Sequence, residues 1–254
     1  GKGTLIAVID SGIDYESPEF LDESGNTRIR YLWDQTLSAE RVNQMLPAEF
    51  VEFQGSASPP EGFLMGVEFS EYRINAALKS REPERIVPSF DATGHGTAVA
   101  AIAAAGGRLS GGQFMGVAPE SELLVVKMGT PAPDSFPRTT ELMRALTYVV
   151  NKAVALGRPL AVNLSFGNTY GSHDGTSLVE RFLDNVAEIG RTVVCVGSGN
   201  EGAAGGHVAG SFGRNEGPGE MRPIEVSIGN YQRTVSVQLW KEYVDDVGIV
   251  LNSP

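Results

Sequence analysis

Four short apolar runs, at residues 4–9, 123–128, 160–164 and 192–196, mostly lack the apolar–polar alternation of a strand with one wet face. Such strands need cover on both sides, and a parallel sheet between two helix layers provides it. The covering helices are legible between the runs. Over 141–156, Leu142, Ala145, Leu146, Val149, Val150 and Ala153 form a stripe at helical spacing, ended by Gly157 and blocked from continuing by Pro159. Over 178–189 the stripe is Leu178, Val179, Phe182, Leu183, Val186 and Ile189, ended by Gly190. A third helix, about 97–105, is almost all small residues, which predicts close packing and burial. The chain therefore reads as α/β, with a doubly wound parallel sheet.

Two stretches fall outside this pattern. Residues 37–90 show one weak helix, 71–78, and a soft loop at 55–62, and read as an insertion laid over the surface. From Pro223 onward the apolar residues alternate: Ile224, Val226, Ile228, then Val235, Val237, Leu239. Alternation predicts antiparallel β, here the start of an insertion at the C-terminus. The expected division is 1–222 for the α/β core and 223–254 for the β segment.

Composition narrows the function classes. At 254 residues and 41% hydrophobic, the chain can bury a large core. A formal net charge of −11 argues against nucleic acid and anionic membrane as partners. The single cysteine, Cys195, excludes a disulfide framework and a Cys-rich zinc site, and its place in an apolar run predicts a packed, inert thiol. No apolar run approaches the length of a membrane-spanning helix. Gly1-Lys2-Gly3-Thr4 has phosphate-loop residue types but leads into a strand rather than a helix, which argues against nucleotide binding.

Three glycine-bearing segments carry the chemistry. Residues 7–14 read A-V-I-D-S-G-I-D, which puts Asp10 at the carboxyl end of a strand, the edge where α/β sheets place ligands. A turn carboxylate is the plainer alternative. Residues 91–100 read D-A-T-G-H-G-T-A-V-A, with His95 between two glycines at the mouth of the small-residue helix. The glycines allow backbone to approach the ring closely, and a helix N-terminus favours the neutral imidazole that a general base needs. The alternative is an incidental histidine at a helix start. Residues 194–202 read V-C-V-G-S-G-N-E-G, so Asn200 follows a buried strand. Its amide can donate to a developing oxyanion, or Asn can simply occupy a left-handed turn position.

In this order the three segments resemble the subtilisin-like serine proteases, the subtilases. Further matches are G-V-A-P at 116–119, V-K-M-G at 126–129 and N-L-S-F-G at 163–167, so the resemblance spans residues 1–205 apart from 37–90. It implies that Asp10 orients His95, that His95 is the general base, and that Asn200 helps hold the oxyanion. It also implies that Lys127, Met128 and Gly129, with Ser165, Phe166 and Gly167, are two edges that hold an extended peptide by main-chain pairing. Gly197, Ser198 and Gly199 would line the pocket for the residue before the scissile bond. For 165–167 an ordinary strand exit is the alternative. The segment 223–254 resembles the β-sandwich insertion of subtilases associated with clostridial spore germination. The family's calcium ligands do not map onto this chain, so no metal and no cofactor are expected.

One part of the pattern has no match. The family's nucleophile is a serine in a G-T-S-M-A-like turn that follows the oxyanion asparagine. The only G-T-S here, Gly175-Thr176-Ser177, precedes Asn200, and Ser177-Leu178-Val179-Glu180 has the form of a helix capping box. The expectation is an N-terminal fragment of a serine endopeptidase, inactive alone, whose serine lies beyond Pro254. The alternative is a pseudoprotease on the same fold, acting as a peptide-binding or regulatory protein. The implied partners are a peptide or protein substrate and the family's own propeptide, with no nucleic acid and no membrane. A bacterial secreted, cell-envelope or spore-associated location is expected.

Overall fold

A computed structural model describes residues 1–129, 139–165, 171–200, 202–212, 221–231 and 233–252. The elements are β1 (Leu5–Asp10), β2 (Ile29–Asp34), α1 (Ala39–Met45), α2 (Ala48–Gln54), β3 (Val67–Ser70), α3 (Glu71–Leu78), α4 (Pro83–Ile86), α5 (His95–Ala104), β4 (Glu122–Lys127), α6 (Thr139–Leu156), β5 (Leu160–Leu164), α7 (Leu178–Glu188) and β6 (Thr192–Val196). The strands form one sheet in the order β3-β2-β4-β1-β5-β6. All pairings are parallel except β2 with β3. Chain contacts divide the protein into two compact units, one of residues 1–168 and 178–199, the other of 169–177 and 200–254. The expected boundary at 222/223 lies inside the second unit.

In the first unit the continuous apolar runs do what their pattern requires. Every residue of β1 is buried. Ile6 and Val8 pack on one face with Leu32, Leu123, Val125 and the α5 residues Ala100 and Ala104. Leu5, Ala7 and Ile9 pack on the other with Leu124, Val126 and the α6 residues Leu142, Leu146 and Val149. The result is three layers, with β1 central and α5 and α6 on opposite faces. All six residues of the expected α6 stripe are buried. Gly157 closes that helix with φ +65°, a conformation that glycine adopts without strain.

Several expectations are corrected. Residues 37–90 are not a surface insertion. They supply β3 to the sheet, and Val42, Leu46, Ala57, Val67, Phe69, Ile74, Ala77, Ile86 and Val87 to the core. The apolar residues there are spread over short elements, so no single window shows a period. The small-residue helix α5 buries one face, Gly96, Ala100 and Ala104, while Ile102 on the other is 72% exposed. In α7 only Val186 is fully buried and Leu178 is 73% exposed, because the stripe meets the sheet only at its final strand. Cys195 is exposed rather than packed, because β6 is that terminal strand. The alternating segment from Pro223 forms no strand among the described residues, and Ile224, Val226, Ile228, Val235, Val237 and Leu239 are exposed. Alternation alone does not make a strand without a partner to pair with.

Candidate active site

The carboxyl ends of β4, β1, β5 and β6 lie side by side along one edge of the sheet. Asp10 is the last residue of β1, and its side chain is 4% exposed. Opposite it, α5 begins at His95, just after Gly94 with φ +74°. His95 Nδ1 lies 2.7 Å from Asp10 Oδ1. An ionised carboxylate only accepts, so the proton of this bond sits on Nδ1 and Nε2 is left as the free acceptor. The ring side chain is 55% exposed, so that free nitrogen faces an open surface.

Glycine makes this approach possible at Gly96. A Cβ there would collide with the Gly12 carbonyl oxygen and lie 3.1 Å from Asp10 Cβ. The first turn of α5 therefore rests directly on the loop that follows β1. Gly12 itself has φ +125°, a conformation that side chains rarely adopt.

The Asp10 carboxylate has no other side-chain partner among the described residues. Oδ1 also accepts from Ser11 N at 2.7 Å, while Oδ2 is buried and has no partner among the described residues. The nearest cation in strand register is Lys127, which sits beside Asp10 on β4. Lys127 is also in register with Asp34 on β2, and its ammonium turns that way, 3.5 Å from Asp34 Oδ2. It donates to Phe90 O at 2.8 Å. Asp34, fully buried, is held further by Ser89 Oγ at 2.7 Å and by Thr36. A buried carboxylate on the neighbouring strand thus draws the lysine away from the dyad.

The hydrogen bond that His95 donates to Asp10, and then the charge of Asp10, raise the His95 pKa above the ordinary imidazole value. This reverses the expectation drawn from the helix N-terminus. A carboxylate at hydrogen-bond distance outweighs the partial positive charge of a helix end.

Asp91, the first residue of the 91–100 segment, carries no expected role from the sequence. It lies ahead of α5 and accepts from six donors. Oδ1 accepts from Ser11 Oγ at 2.8 Å, Gly94 N at 3.0 Å, Thr93 Oγ1 at 3.2 Å and Thr93 N at 3.3 Å. Oδ2 accepts from Thr97 N at 2.8 Å and Thr97 Oγ1 at 2.7 Å. Burial works against the charged form, but the bonds from Thr97, Ser11 and Gly94 outweigh it and hold the pKa at about 2. The sequence signal was an Asp six residues before a Thr at a helix start, which looks like any helix cap.

The remaining expected residues fall as follows. Met128 N donates to Asp10 O at 2.8 Å, which extends the β4–β1 ladder past its last residues, and Gly129 follows. Ser165 is exposed at the end of β5, its Oγ accepting from Asn163 Nδ2 at 2.9 Å. Lys127–Gly129 and Ser165 therefore flank Asp10 on opposite sides, on β4 and β5. Gly197 N donates to Leu164 O at 2.9 Å, and Gly197, Ser198 and Gly199 are exposed beyond β6. Phe166 and Gly167 lie outside the described residues. Asn200 is exposed and belongs to the second unit. Ser177 immediately precedes α7. Among the described residues no group of three or more His, Cys, Asp or Glu could hold a metal ion.

A cleft of about 920 Å³ lies at the other edge of the sheet, lined by Lys2, Arg30, Glu71, Glu122 and Arg158 among others. Its charges are largely spent on one another: Arg30 pairs with Glu71 and Glu122, and Arg158 with Glu122.

A sequence model of the subtilase (peptidase S8) family matches residues 1–237. Among solved structures, the chain is similar to the Clostridium perfringens CspB protease, with 35% identity and a TM-score of 0.65 over 80% of this chain and 38% of that one. It also resembles sphericase in fold, with 20% identity and a TM-score of 0.50 over 80% of this chain and 47% of that one. The chain thus spans less than half the length of either.

Proposed function

The chain belongs to the subtilase family of serine proteases, and from that premise we propose that it is the acid–base half of a serine endopeptidase. The observation that carries the proposal is the 2.7 Å contact between His95 Nδ1 and Asp10 Oδ1, with Nε2 free. In this role His95 takes the proton of a serine hydroxyl as it attacks a peptide carbonyl, then returns it to the leaving amine. Asp10 holds the tautomer and stabilises the imidazolium. Asn200 donates to the oxyanion. Lys127–Gly129 and 165–167 hold the substrate as an added strand, and 197–199 shape the pocket beside the scissile bond.

The nucleophile on this reading is a serine outside these 254 residues. Two points support it: the only G-T-S stands at the entry to α7, and the chain covers 38% of the CspB protease. Peptides or proteins are the substrate class. The family's propeptide as a partner, and a secreted, envelope or spore-associated location, remain parts of the proposal.

Fluorophosphonate labelling tests it. The 254-residue chain alone should take no label, and the full gene product should take one, on a serine outside 1–254. Stoichiometric labelling of Ser177 would overturn the reading that the nucleophile lies outside these residues, and a full product that neither labels nor cleaves peptides would support the pseudoprotease alternative.

A further inference from the structure

We propose that Asp91 and Ser11 form a clamp that positions His95 over Asp10, an assignment that rests on reading His95 as the general base. The dyad is built from two separate pieces of chain, the end of β1 and the start of α5. Asp10 and His95 themselves meet through a single side-chain hydrogen bond with a half-exposed ring, which does not by itself fix the ring's position. What joins the two pieces is a second layer of bonds beneath them.

Ser11 Oγ is the node of that layer. It donates to Asp91 Oδ1 at 2.8 Å, and it accepts from Gly96 N at 3.0 Å and Thr93 Oγ1 at 2.9 Å. The hydroxyl of the residue after Asp10 therefore holds the amide of the residue after His95. Ser11 also donates its own N–H to Asp10 Oδ1. Asp91 completes the clamp from the α5 side through Gly94 N, Thr97 N and Thr97 Oγ1. Thr97 Oγ1 then accepts from Asp14 N at 2.9 Å, a second tie back to the loop after β1. Both oxygens of Asp91 are acceptors only. An asparagine would put an N–H against an N–H or O–H on one side, so the carboxylate is required rather than merely convenient.

The clamp differs from an ordinary helix cap in its geometry. A cap satisfies the amides of its own helix. Asp91 does that, and it also binds Ser11 on the β1 loop, 80 residues earlier in the chain. Asp91 and Ser11 are positioning residues, because neither touches the ring.

The test reads the His95 ring and not turnover. The ring is titrated by NMR in the 254-residue chain, with His95→Gln to assign its signal against His173 and His207. Asp10 and Asp91 are the charged groups that act on this ring. Asp91→Asn alters charge as well as geometry, so the deciding variants are charge-neutral: Ser11→Ala and Thr97→Val. The expected result is a His95 pKa lowered by about half a unit or more in each, as the bond to Asp10 loosens. Ser11→Thr, which keeps the hydroxyl, should hold the wild-type value. If both charge-neutral variants titrate like wild type while their melting temperatures fall, the layer is only structural and the proposal is overturned. If Ser11→Ala does not fold, Thr97→Val decides alone. Failure of the dyad itself is separately visible, since Asp10→Asn would then leave His95 unmoved.

Discussion

At the scale of single residues, the site depends on a glycine and two carboxylates. Gly96→Ala should destabilise the protein by about 1–3 kcal/mol or more in urea unfolding, because its Cβ must displace the Gly12 backbone. Asp10→Asn should bring the His95 pKa down toward the ordinary value of about 6.5, read by NMR titration. The sign of the linkage follows. The His95 pKa is raised in the folded state, so the charged Asp10–His95 pair stabilises the fold fully below the unfolded histidine value. That contribution is lost as pH rises through the folded value. Asp91 runs the other way. Its contribution is present above the unfolded carboxylate value of about 4 and is lost as pH falls through 2. Wild type should thus lose stability over that acid window, and Asp91→Asn should lose less. Asp10 and His95 were legible in the sequence because each stands at a strand or helix end beside glycine. Asp91 was not, since a carboxylate before a helix looks the same whether it caps or clamps. Lys127 was read only as a backbone edge for substrate. Nothing in V-K-M-G indicates that its ammonium turns to Asp34, a residue supplied by another strand.

Among the elements, legibility followed continuous apolar sequence, which burial matches only in the middle of the sheet. The runs that became β1 and β4 are covered by helices, and the stripe of α6 meets the sheet along its length, whereas β6 reads as clearly although none of its residues is fully buried. β2 and β3 were missed. β2 (I-R-Y-L-W-D) mixes charge into its apolar pattern, and the charge of Arg30 is paired with Glu71 and Glu122, partners far away in sequence. β3 is four residues long and antiparallel at the sheet edge. The stability map should follow the structure rather than the stripes. Leu146→Ala on α6 should cost about 2–5 kcal/mol and Phe69→Ala on β3 about 3–5 kcal/mol, since both side chains are fully buried. Leu178→Ala at the exposed start of α7 should stay within about 0.5 kcal/mol, although it belongs to an equally clear sequence stripe. Urea unfolding followed by far-UV circular dichroism distinguishes these values.

For the molecule as a whole, a doubly wound sheet brings the carboxyl ends of five parallel strands to one edge, where α/β sheets place their ligands. The order β4-β1-β5 sets Asp10 between the two segments proposed to hold substrate, which is why residues 127 and 165 share a site despite their separation in sequence. The described residues pair His95 with Asp10, the proposed base and its orienting acid, while the hydroxyl they would serve is proposed to lie elsewhere in a longer protein. The most direct measurement is peptide turnover by the full gene product carrying His95→Ala, beside wild type and with folding checked in both. If Asp10 and His95 are the acid–base pair of a serine peptidase, wild type cleaves and the variant loses roughly 10⁶-fold in kcat with its fold intact. Turnover that survives His95→Ala, or a wild-type full product with no turnover at all, would contradict the assignment.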